Sequence, residues 1–183
     1  MNTKDNYNHR KHGILNPKMK SGRYCTKSAT PNLIRYISRG KGSSKASQND
    51  LLCFGAYGAI DFLGVNAITK QFNQVSSLNT RNASKNRYID HEIFSFSEAT
   101  EKVLLHNPQI WRKTCSDMAS ILSDGQHQVA YALHMPDGES QHLHVHFAVN
   151  TVNFTTGLKR QENRHRTGEH QKKLNSYLED NLI

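Results

Sequence analysis

Cysteine is scarce and poorly placed for bonding: Cys25, Cys53 and Cys115 are odd in number and widely separated, and no Cys-x-x-Cys pair occurs. That excludes a disulfide framework and a cysteine zinc site as organising elements. Also missing is any stretch approaching the roughly 20 consecutive apolar residues that a membrane-spanning helix needs. The N-terminus is polar and lysine-rich where a secretory signal would be apolar, so no membrane segment and a cytoplasmic location are expected. Acidic residues are in deficit, 15 Asp and Glu against 24 Lys and Arg, which leaves a net charge of +9. A compact domain that basic repels itself unless phosphates or acidic lipid neutralise it, and nucleic acid is the leading partner. At 183 residues the chain suits one domain with a proper core.

Against these absences stands one dense segment, Gln141 to Asn150, reading Gln-His-Leu-His-Val-His-Phe-Ala-Val-Asn. Side chains alternate along an extended strand, so His142, His144 and His146 are predicted on one face, with Leu143, Val145, Phe147 and Val149 forming a core face opposite. Imidazoles are the commonest protein ligands of transition metals and the usual acid/base groups near neutral pH. Two chemistries fit such a row: a metal-dependent phosphodiester-cleaving site, and a histidine-triad nucleotide hydrolase in which a histidine is itself the nucleophile.

Residues 1–21 carry Lys4, Arg10, Lys11, Lys18 and Lys20 with little apolar periodicity, and read as a flexible basic arm that can order against DNA phosphates. The remainder, 22–183, reads as one domain. A first strand is expected over 22–28, then a helix opened by Thr30-Pro31, carrying Leu33, Ile34, Tyr36 and Ile37, and stopped by Gly40. The Gly/Ser-rich run over 40–50 lacks phosphate-loop spacing and follows a helix, so that motif is rejected. Leu51 to Val65, broken by three glycines, reads as an irregular or partly helical insert. Helices are expected over 66–79, 98–105, 109–122 and 159–181, and strands over 88–96, 128–134 and the histidine segment. This order implies an α+β fold, an antiparallel sheet with helices on one or both faces.

His134, a loop, then His142-Leu-His144-Val-His146-Phe-Ala-Val-Asn150 resembles the metal-binding motif of plasmid mobilisation relaxases of the HUH endonuclease class. Asn32-Leu-Ile-Arg-Tyr36-Ile-Ser resembles that family's nucleophile helix, and Asn79-Thr-Arg81 to His91-Glu-Ile-Phe-Ser95-Phe96 resembles the strand beside its metal. The likeness runs in chain order over about residues 22 to 160. It implies a central five-stranded antiparallel sheet flanked by helices, and strand-specific nicking of single-stranded DNA at a plasmid origin of transfer. It also implies accessory relaxosome proteins and a coupling protein as partners in a bacterial cytoplasm. Relaxases commonly carry further C-terminal domains, so the chain reads as a nicking domain that can belong to a longer protein.

Carried over residue by residue, the resemblance makes Tyr36 the nucleophile and His144 and His146 metal ligands, with His134 or alternatively His142 as the third. Tyr24, Tyr57, Tyr88 and Tyr131 are the other tyrosine candidates. Three imidazoles leave open positions on a divalent metal, as catalytic sites require; Mn or Mg is expected in use, with Zn or Ni possible in purified protein. His91, Glu92 and Asp137 are candidates to orient a ligand histidine. Arg35, Arg39, Lys41 and Arg81 are candidates for DNA contact. A replication initiator of the same class is the nearer rival, although its paired Tyr-x-x-x-Tyr is absent because Gly40 follows Tyr36 at that spacing. A noncatalytic DNA-binding domain leaves the histidine row unexplained.

Overall fold

The computed structural model describes residues 11–17, 24–41, 43–44, 49–79, 87–136, 141–161 and 164–182. Strands β1 (Gly13–Pro17), β2 (Leu51–Tyr57), β3 (Ile89–Phe96), β4 (His127–His134) and β5 (His144–Asn153) form an antiparallel sheet in the order β1-β3-β5-β4-β2. Among the described residues five α-helices flank it: α1 (Ala29–Ile37), α2 (Val65–Ser76), α3 (Glu98–His106), α4 (Trp111–Leu122, entered through a 3-10 turn at Pro108–Ile110) and α5 (Arg164–Leu182). This is the expected α+β architecture with a five-stranded antiparallel sheet.

The two faces of the sheet differ in what they bury. On one, Val145, Phe147 and Val149 of β5 join Phe94, Phe96, Val129, Tyr131 and Leu133 under Leu104, Met118, Leu122, Leu174 and Leu178 of α3, α4 and α5. On the other, the small side chains Ala130, Ala132 and Ala148 let α1 and α2 approach with Leu33, Ile34, Ile37, Ile68 and Phe72. Both faces are therefore covered, and every residue of β5 is buried. An open imidazole face is not what forms: the histidine side of β5 lies on the α1 side of the sheet.

Three expectations are corrected. Part of the supposed arm is strand, since Gly13–Pro17 pairs with β3 from Gly13 opposite Phe96 to Pro17 opposite Glu92. Its outer edge is closed by side chains of α5: Gln171 Nε2 donates to Gly13 O at 2.9 Å, Leu15 N donates to Gln171 Oε1, and His12 N donates to Asn175 Oδ1 at 2.8 Å. A helix thus satisfies the unpaired backbone of an edge strand, which polar, basic flanks made illegible in sequence. Residues 24–28, expected to be strand, instead bend into α1. Leu51–Tyr57, expected to be irregular, is the opposite edge strand; Gly55 sits across from Tyr131, whose ring occupies the space a side chain would need. In β2 the glycine marks a close approach, not a break.

Gly13 makes a similar approach, because an added Cβ would lie 2.4 Å from the Ser95 carbonyl oxygen and 2.3 Å from the Phe94 ring. Gly13→Val should cost about 1–3 kcal/mol by overpacking, read as a lower denaturation midpoint. An unchanged midpoint would show that this segment is not docked on β3.

Candidate active site

His134 ends β4 and stands opposite His144, the first residue of β5, while His146 faces Ala132 two positions further along. The strand period therefore brings three imidazoles from two strands together. Ring centroids are 5.5 Å apart for His134 and His144, 4.7 Å for His134 and His146, and 4.9 Å for His144 and His146. One nitrogen from each lies within 4.8 Å of the others, and all three side chains are buried.

His142, the alternative third ligand, is not in this group. It precedes β5, its side chain is 52% exposed, and its ring nitrogen stands 3.7 Å from Glu101. Its carbonyl instead accepts from His144 Nδ1 at 3.0 Å, which leaves His144 Nε2 to face the cluster. A histidine-triad hydrolase needs its histidines along one strand; here the third comes from the neighbouring strand.

Burial decides the charge of the rings. It pushes His134 down to about 4, aided by the nearby Arg39, and holds His146 well below the ordinary range, with His91, His134, His144 and Arg39 adding to the effect. Near neutral pH both are uncharged and each keeps a lone pair. Three converging imidazoles, two of them held neutral, form a donor set that suits a divalent ion in an open catalytic site.

The surrounding hydrogen bonds orient the rings. His91 on β3 lies 2.9 Å from His146 Nδ1 through its Nε2, and its Nδ1 lies 2.9 Å from the Tyr24 hydroxyl. If His146 ligates through Nε2, its Nδ1–H donates to His91 and His91 donates to Tyr24, so one tautomer is selected along the chain. His134 Nε2 donates to the carbonyl of Ile37 at 2.7 Å, satisfying an orphan carbonyl at the end of α1. That bond ties the last turn of α1 to the histidines. One residue earlier, the half-buried Tyr36 has its ring 5.9 Å from His146 and 6.2 Å from His91, edge-on to both.

Two expected site residues are placed differently from expectation. Glu92 points to the opposite face from His91, as alternation demands, and forms a buried ion pair with Arg160 at 3.0 Å. Arg39, expected at the DNA surface, is buried with its guanidinium 5.4 Å over the Tyr36 ring, forked onto Asp50 and 2.8 Å from His134 Nδ1. In return it holds the Asp50 carboxyl below its ordinary range. Arg35 is half-buried on α1 and Lys41 is exposed, while Asp137 and Arg81 lie outside the described residues. Sequence reasoning missed Asp50, placed in a loop with no periodicity, and the contact of Tyr24 with His91.

The family model for relaxases, MobA/VirD2-like, nuclease domain, matches residues 36–181, and the chain belongs to that family of DNA-nicking domains. A search of curated proteins finds no match.

Buried neutral histidines make a pH prediction for the EDTA-treated protein. His127, on β4, is also pushed down to about 4, chiefly by burial and then by Arg160. Between the ordinary 6.5 and about 4 the unfolded chain binds protons that folded His127 and His134 refuse. Stability should therefore be complete above 6.5 and fall as pH drops towards 4. His127→Gln should flatten that slope in thermal melts, and a wild-type melting temperature constant across the window would contradict the assignment.

Proposed function

We propose that this chain is a tyrosine relaxase that nicks single-stranded DNA at a plasmid origin of transfer, with Tyr36 as nucleophile and His134, His144 and His146 as metal ligands. The observation that supports it best is the placement of the Tyr36 ring 5.9 Å from His146, at the edge of three converging imidazoles. The phenolic oxygen of Tyr36 attacks phosphorus, the bond from phosphorus to the 3′ oxygen breaks, and the proton balance leaves a free 3′ hydroxyl. The DNA 5′ end is then held as a phosphotyrosyl ester, which conserves the bond for rejoining.

A divalent ion, Mn or Mg in use, would neutralise a nonbridging phosphate oxygen and stabilise charge in the transition state. The residues around it do the rest. His91 and Tyr24 orient His146, the Ile37 carbonyl orients His134, and packing of α1 against the sheet aims Tyr36. Arg35 and Lys41 flank Tyr36 in the chain and are assigned to DNA phosphates, consistent with the net charge of +9. The setting is the cytoplasm of a bacterium, with relaxosome proteins and a coupling protein as partners in mobilisation.

Tyr36→Phe removes one hydroxyl and keeps the ring. Folding and metal binding should survive, while the protein-linked DNA strand seen on denaturing gels for the wild type should disappear. Chelation should stop nicking of cognate DNA by the wild type. An adduct persisting in Tyr36→Phe would move the nucleophile elsewhere, first to Tyr24, and undiminished cleavage in EDTA would remove the metal from the mechanism.

A further inference from the structure

His134 has a single lone pair, and its position can be deduced. The Ile37 carbonyl can only accept, so the 2.7 Å bond to Nε2 places the proton there and the lone pair on Nδ1. That lone pair is already in use: Arg39 Nη2 lies 2.8 Å from Nδ1. Asp50 holds the guanidinium in place through Nε to Oδ1 at 2.9 Å and through Nη2 to Oδ2, and Oδ2 is itself 3.6 Å from His134 Nδ1.

Arg39 is kept there against two costs. Its side chain is 4% exposed, and its φ is +52°, a left-handed conformation that Gly40, the next residue, would adopt without strain. A buried cation in a strained backbone position persists only where its contacts determine it.

We propose that Arg39 is a resident cation of the three-histidine site, holding the His134 lone pair until a divalent ion displaces it, with Asp50 setting how readily it yields. The inference rests on reading the histidines as metal ligands. It makes the Arg39–Asp50 pair a determinant of metal affinity and Arg39 a positioning residue, distinct from any role in folding.

The two variants carry opposite signs. Arg39→Met removes the competitor and one positive charge while leaving a carboxylate beside His134, so Mn²⁺ should bind at least about tenfold more tightly to the EDTA-stripped chain in isothermal titration. Asp50→Asn leaves the guanidinium unneutralised and should weaken binding about tenfold or more. The double variant should return towards the wild type. A pair that only supports the fold would weaken binding in both single variants, and that result, or equal affinity of Arg39→Met and wild type, overturns the proposal.

His144→Ala separates this from the underlying reading. If wild type and His144→Ala bind Mn²⁺ alike, the histidines are not the ligands; if only the wild type binds and Arg39→Met does not gain, the competitor role alone fails. Should Arg39→Met not fold, ¹⁵N NMR of the wild type decides. The metal-free protein should show His134 protonated on Nε2, and Zn²⁺ should shift the Arg39 guanidinium signals. Protonation on Nδ1, or Arg39 signals that Zn²⁺ leaves unmoved, would refute it.

Discussion

Burying three imidazoles where two central strands meet is the constraint on which the surrounding structure depends. A buried polar ring destabilises the fold unless its nitrogens find partners. Here those partners come from separate parts of the chain: the Ile37 carbonyl at the end of α1, the His142 carbonyl at the entry to β5, His91 on β3, and Arg39 beyond α1. Satisfying the rings therefore fixes where α1 ends. Because Tyr36 is in that last turn, the bonds that satisfy the rings also set its distance from them.

The sheet separates this chemistry from the bulk of the apolar core. Phe94, Phe96, Phe147, Tyr131 and the leucines of α4 and α5 pack on the far side, where the large buried rings contribute roughly 1.5–3 kcal/mol each. The near side uses alanines on the strands, which bring α1 and α2 close. The same alternation puts His91 among the site rings and Glu92 with Arg160 behind the sheet, so neighbouring residues serve opposite layers.

Much of this was legible in the chain. The alternation of His144 and His146, the strand over 88–96 and the Ser97 cap, whose hydroxyl accepts from Thr100 N, rest on local periodicity and appear where expected. The resemblance favoured His134 with His142 as the alternative, but the strand register that separates the two was not legible: His134 pairs with His144, while His142 falls before the strand begins. Nor was β1, whose edge is completed by Gln171 and Asn175 about 160 residues away in the chain. Arg39 looked like a surface cation beside a glycine; its burial follows from Asp50, which no local pattern connects to it.

Under the proposed function, a divalent metal binds among the histidines on the α1 side of the sheet, near Tyr36. Anomalous diffraction from crystals loaded with Mn²⁺ tests that claim directly. A single strong peak is expected within bonding distance of His134, His144 and His146. A peak at Asp90 and Glu92 behind the sheet, or a fully loaded crystal with no peak among the three histidines, would contradict it.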